Sequence, residues 1–115
     1  KLNFFQLPFN DSSFVHGYQS YPCLFDSKDY CLDQIPSINK SRNKFMDILN
    51  DNGVSTRPAT HAVHMLKYYK QKYKIDPEDY PNAYIANECS ISFPLFNGLT
   101  LEEQKYVIKI IKDNL

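Results

Sequence analysis

The feature that most limits the folds open to this chain is a change of period between Asn39 and Pro58. From Asn39 or Ser41, either of which can cap a helix, to Asn52 the apolar residues Phe45, Ile48 and Leu49 fall on one helical face. Gly53 supplies the left-handed residue that ends many helices, and residues 54–57 resume as a short extended segment before Pro58. Helix, glycine, strand is an order of elements that belongs to α/β domains.

The flanks extend this pattern. Residues 1–13, with Phe4, Phe5, Leu7 and Phe9 beside Pro8 and Asn10, read as an irregular arm that packs against something. Residues 14–25 are dense in aromatic and β-branched side chains and predict a strand, with Pro22 pushing that part toward an edge or a bulge. Residues 26–37, polar and containing Pro36, read as a loop, and residues 67–74 as a short helix. Pro77 or Pro81 suits a first helical turn that residues 83–88 continue. Residues 89–93 predict a strand with Ile91 and Phe93 on one side and Ser90 and Ser92 on the other, stopped by Pro94. The last helix opens on Thr100-Leu-Glu-Glu103, a capping box, and carries an apolar stripe of Val107, Ile110, Ile111 and Leu115.

At 115 residues the chain makes one domain, large enough to bury roughly two thirds of its unfolded surface. Thirteen basic and thirteen acidic residues cancel, so no whole-chain field draws it to nucleic acid or an anionic membrane, and neither is expected as a partner. No apolar run approaches the length of a membrane span, and nothing near Lys1 has the form of a signal segment. Cys23, Cys31 and Cys89 form no C-x-x-C pair and no even disulfide set, which fits reduced thiols in the cytoplasm. The chain does not begin with methionine, so it is expected to be a piece of something longer.

The chemistry concentrates in residues 57–64. Arg57 follows an extended segment and precedes a proline-fixed turn, where a guanidinium can present its rigid fork to a phosphate or carboxylate, or form a surface salt bridge. His61 and His64 share a face if helical, but a metal needs further ligands, and only His16 or a cysteine is on offer; no metal site is expected. Their alternative is polar packing within a loop. Tyr68, Tyr69 and Tyr73 alternate with Lys67, Lys70, Lys72 and Lys74, a pattern of nucleic-acid platforms but more often of a solvated helix whose rings are buried. Three glycines at 17, 53 and 98 cannot write a phosphate-binding glycine motif.

Five stretches in order carry a resemblance: His16-Gly-Tyr-Gln-Ser-Tyr21, Asn52-Gly-Val-Ser-Thr-Arg-Pro58, Thr60-His-Ala-Val-His64, Tyr80-Pro-Asn-Ala83, and the run from Ser92 to Gln104. Together they resemble the C-terminal small domain of the DegT/DnrJ/EryC1/StrS family of pyridoxal-phosphate-dependent sugar aminotransferases. Val54 stands for the family's isoleucine, Ala62 and Val63 for the Pro-Leu before His64, Tyr80 for phenylalanine and Phe93 for leucine. The resemblance implies an α+β small domain, a small and mostly antiparallel sheet flanked by helices, as in fold-type I aminotransferases.

It also implies a parent enzyme, a homodimer, that moves an amino group from glutamate to a nucleotide-linked keto sugar in cell-surface polysaccharide biosynthesis. Arg57 matches the family's T-R arginine and His64 its P-L-H histidine, with His61 just before it, so these three are expected near substrate or cofactor. Pyridoxal phosphate belongs to the parent: no lysine here lies in the serine-preceded, glycine-rich setting of the family's cofactor-bearing lysine. The partner implied is the N-terminal cofactor-binding domain of the same chain. Without it the fragment is expected to bind cofactor poorly, to catalyse nothing, and to expose Phe4, Phe5 and Phe9 at a cut edge. The alternative is a free-standing or regulatory α/β module whose Arg57 loop recognises a phosphorylated or acidic partner.

Overall fold

The computed structural model describes residues 4–26 and 30–115. Three strands form one antiparallel sheet in the order β1 (Phe5–Gln6), β2 (Tyr21–Phe25), β3 (Ser90–Phe93). Among the described residues four helices accompany it: α1 (Ile35–Asp51), α2 (Lys67–Tyr73), α3 (Pro81–Cys89) and α4 (Leu101–Asp113). The sheet flanked by helices is the architecture the resemblance implies.

Register explains the core. Phe5 lies opposite Phe25, Cys23 opposite Ile91, and Tyr21 opposite Phe93, so all six share one face of the pleat. Phe45 and Leu49 of α1, Val54, and Ile110 and Ile111 of α4 pack with that face. Leu49 and Ile91 are fully enclosed, and burial of a side chain of that size is worth about 1.5–3 kcal/mol. Phe5 packs edge-on against Phe25 and Phe93, at 5.9 and 5.3 Å between centroids.

Several expectations change. The arm expected to be irregular holds β1, and Phe5, expected at an exposed cut edge, is core; the arm's first three residues lie outside the described ones. The strand predicted over residues 14–25 forms only from Tyr21. Upstream, Tyr18 adopts φ +44°, its N–H donates to Nδ1 of His16 at 2.9 Å, and Val15 is 97% exposed, so a local turn replaces the ladder. Pro22 is in the central strand, not at an edge. Because β1 reaches only Leu24 and Phe25, Pro22 has a neighbour on one side alone, where a missing donor does least harm.

The first helix begins at Ile35, not at Asn39 or Ser41, and takes up the end of the expected loop; residues 27–29 of that loop lie outside the described ones. Ile35 is fully buried, which favours one more turn at this end, and Pro36 is tolerated within it. Of the two side chains that suggested caps, Asn39 is occupied elsewhere, its Nδ2 donating to the Glu88 carbonyl at 2.9 Å, and Ser41 lies well inside the helix. At the other end Gly53, at φ +73°, terminates the helix as expected.

Candidate functional site

The segment after α1 is built by the core. Val54 is 2% exposed, and its N–H donates to the Leu49 carbonyl at 2.8 Å, so the chain leaves the helix in a fixed direction. Three residues on, Arg57 joins the outer side of β3. Its N–H donates to the Ser92 carbonyl at 3.4 Å and its carbonyl accepts from the Ser92 N–H at 2.8 Å. The backbone at Arg57 is thus held in the sheet while the residue itself stays exposed.

Arg57 lines a cavity of ≈ 730 Å³ between this segment, the β3–α4 connection and the first turns of α4. Thr56, Phe96, Glu102, Glu103 and Tyr106 line it too. Glu103 is committed to the capping box, accepting from the Thr100 N–H at 2.8 Å, and these bonds hold its carboxyl below the ordinary carboxylate value. Tyr106 Oη donates to the Asn52 carbonyl at 2.9 Å and ties α4 to the end of α1. The Thr56 hydroxyl is enclosed and has no hydrogen-bond partner among the described residues. A guanidinium, an unengaged hydroxyl and aromatic walls give the cavity, at its Arg57 side, groups that can take an anion carrying an organic group, while the Glu102 carboxylate lines another part of it.

The histidines are placed differently. His64, in a 3-10 turn at Val63–Met65, is 9% exposed, with Nε2 3.2 Å from the Pro77 carbonyl and its ring 5.2 Å from that of Tyr80. His61 is exposed. Neither lines the cavity that Arg57 lines. His16 is engaged in its own turn, and among the described residues no three His, Cys, Asp or Glu side chains are grouped to hold a metal ion.

Sequence reasoning missed Thr56, Tyr106 and the role of Asn87, whose Oδ1 accepts from the Ala62 N–H at 2.8 Å. Tyr106 had a usable signal: it lies four residues after Glu102, on the same face of a helix already predicted. Ser90 and Ser92 had been expected on a face opposite the core, yet both are buried, because the 57–62 loop lies over them.

A second cavity of ≈ 440 Å³, walled by Leu7, Tyr21, Leu95, Val107 and Ile108, is apolar. Neither of the two cavities is lined by a lysine. The described residues around them therefore do not fit pyridoxal phosphate, which needs a lysine amine at its carbonyl carbon. Cys23, Cys31 and Cys89 are free thiols, and burial raises those of Cys23 and Cys89 to about 11, far from nucleophilic activation. No helix among the described residues is long and apolar enough to cross a membrane.

A sequence model of the DegT/DnrJ/EryC1/StrS aminotransferase family matches residues 23–112. An uncharacterised protein of Methanocaldococcus jannaschii is 24% identical over 97 residues, which make up 84% of this chain. They make up 23% of that relative, so the chain spans less than a quarter of its length.

Proposed function

Because the chain belongs to the DegT/DnrJ/EryC1/StrS aminotransferase family, we propose that it serves as the small domain of a pyridoxal-phosphate-dependent enzyme acting on a nucleotide-linked keto sugar. The observation that carries this reading is Arg57, fixed by its backbone to Ser92 and exposed at the wall of a cavity with an unengaged hydroxyl beside it. In this reading the cofactor supplies the chemistry that moves the amino group from glutamate, and it is held by a partner domain with the required lysine. This chain's part is recognition. Arg57 pairs with a phosphate of the substrate, and binding energy from that remote contact orients the keto carbon.

The histidines divide the remaining work. His64, its Nε2 directed at the Pro77 carbonyl, steadies the turn that follows the loop, while exposed His61 is the imidazole free to approach a sugar or cofactor oxygen. The parent enzyme is a cytoplasmic homodimer that supplies amino sugars for cell-surface polysaccharide.

The test is made in a complete enzyme carrying this domain. Arg57→Ala is expected to raise KM for the nucleotide sugar about tenfold or more, the loss of one charge-assisted hydrogen bond or more, and to leave KM for glutamate within about twofold. An equal rise for both substrates, or none for either, rejects the phosphate role.

A further inference from the structure

The loop from Arg57 to Ala62 has no regular structure of its own, yet it is fixed at three points by residues of α3 and β3. Ser92 takes both backbone groups of Arg57, Ser90 Oγ accepts from the Ala59 N–H at 3.1 Å, and Asn87 Oδ1 accepts from the Ala62 N–H at 2.8 Å. Between the last two anchors Thr60 and His61 are exposed. Ala62 is 5% exposed, so its N–H has no ready substitute in water, and leaving such a donor unpaired is costly.

Asn87 is itself oriented. Its Nδ2 donates to Glu88 Oε1 at 2.7 Å, which turns the amide so that its oxygen faces the loop. Behind it α1 braces the same stretch: Asn39 Nδ2 holds the Glu88 carbonyl, and Arg42 Nη1 holds the Ser90 carbonyl at 2.7 Å. Arg42 is only 4% exposed, and its Nε has no partner among the described residues. A buried guanidinium with an orphan donor is costly, and it is put to use here on the strand residue that anchors the loop.

We propose that Asn87 is a positioning residue, whose carboxamide sets the path of the 57–62 loop and through it the presentation of Arg57 to an anionic ligand. The proposal rests on the anion role given to Arg57 above. Its consequence is that ligand affinity depends on a side chain that touches no ligand, and depends on it as a hydrogen-bond acceptor.

Two variants of the chain test this, with inorganic pyrophosphate as probe. Asn87→Leu keeps the branched outline and removes the acceptor. The paired exchange Asn87→Asp with Glu88→Gln restores an acceptor for Ala62 and a donor from residue 88, and leaves the net charge unchanged. Amide hydrogen exchange at Ala62 and Ala59, the melting temperature and the pyrophosphate Kd are measured together. Asn87→Leu is expected to speed exchange at Ala62 and to weaken pyrophosphate by about tenfold while exchange in the β2–β3 ladder stays slow. The paired variant is expected to return both readouts to within about threefold of the original chain. Pyrophosphate affinity unchanged in Asn87→Leu, or lost equally in the paired variant, overturns the positioning role while the Arg57 reading stands. An original chain that shows no pyrophosphate binding overturns both.

Discussion

The helices α2 and α4 look alike in composition, each with lysines along an exposed side, yet they are held by different forces. α4 runs 13 residues, starts on the Thr100–Glu103 capping box and buries Ile110 and Ile111. α2 runs seven residues, has no side-chain bond at its start, buries none of its residues and ends on Lys74 at φ +54°. A helix so short is marginal in isolation, and its support comes from the surface: Tyr69 and Tyr73 stack at 6.3 Å, and Lys72 Nζ sits 5.4 Å from the Tyr68 ring and 5.2 Å from that of Tyr73. The difference teaches where rigidity resides. The half of the domain that presents Arg57 is continuous with the core, whereas the 63–80 lobe, with few buried apolar side chains, is expected to open at a lower free energy.

The largest break in that comparison comes from the core itself. Leu49→Ala removes a fully enclosed side chain from the floor of the segment that leads to Arg57, and should lower the unfolding free energy by about 2–5 kcal/mol. Urea denaturation measures it, and a shift no larger than that of an α2 surface variant would contradict the division into a rigid half and a loose lobe.

A smaller effect tests the cap that α2 lacks. Thr100→Ala removes the acceptor of the Glu103 N–H at 3.2 Å and a donor to its carboxylate, and should cost about 1 kcal/mol. The cap also carries a pH signature with a definite sign. Glu103 has its carboxyl held below the ordinary 4.5 in the folded chain, so its contribution is complete above that value and is lost as pH falls through the folded one. The difference in urea midpoint between the two chains should therefore narrow on acidification, and a gap that widens would contradict the assignment of the cap.

Much of this arrangement was legible in the sequence because the deciding signals are local. Gly53 after a helical period, Thr100 three residues before Glu103, and Pro94 after an alternating strand each act within a turn or two, and the structure places all three as read. What was not legible depended on contacts far along the chain. Ile35 extends α1 because of what covers it, and Phe5 is core because Phe25 and Phe93 lie beside it. In the same way Asn87 gave no local sign that its amide meets Ala62, 25 residues away. The division between His61 and His64 was equally hidden, since spacing shows that two imidazoles are close and not which one is packed against Tyr80.

The lysine-flanked tyrosines gave a further lesson, because the rings expected to be buried under a solvated helix are themselves exposed, at 62% for Tyr68 and 57% for Tyr73. Tyr69, at 38%, is the least exposed of the three and sits between the other two, edge-on to Tyr68 at 5.2 Å and parallel to Tyr73. Tyr69→Ala removes both contacts and no core packing. Aromatic pairs contribute about 0.5–1.5 kcal/mol beyond their area, and in a seven-residue helix that sum is comparable with the whole free energy of opening. Amide exchange within α2 should therefore accelerate by about tenfold while exchange in β2, β3 and α4 keeps its original rate. Equal acceleration in α2 and in the sheet would show that the lobe and the core open together, and the comparison between α2 and α4 would fail at its weakest point.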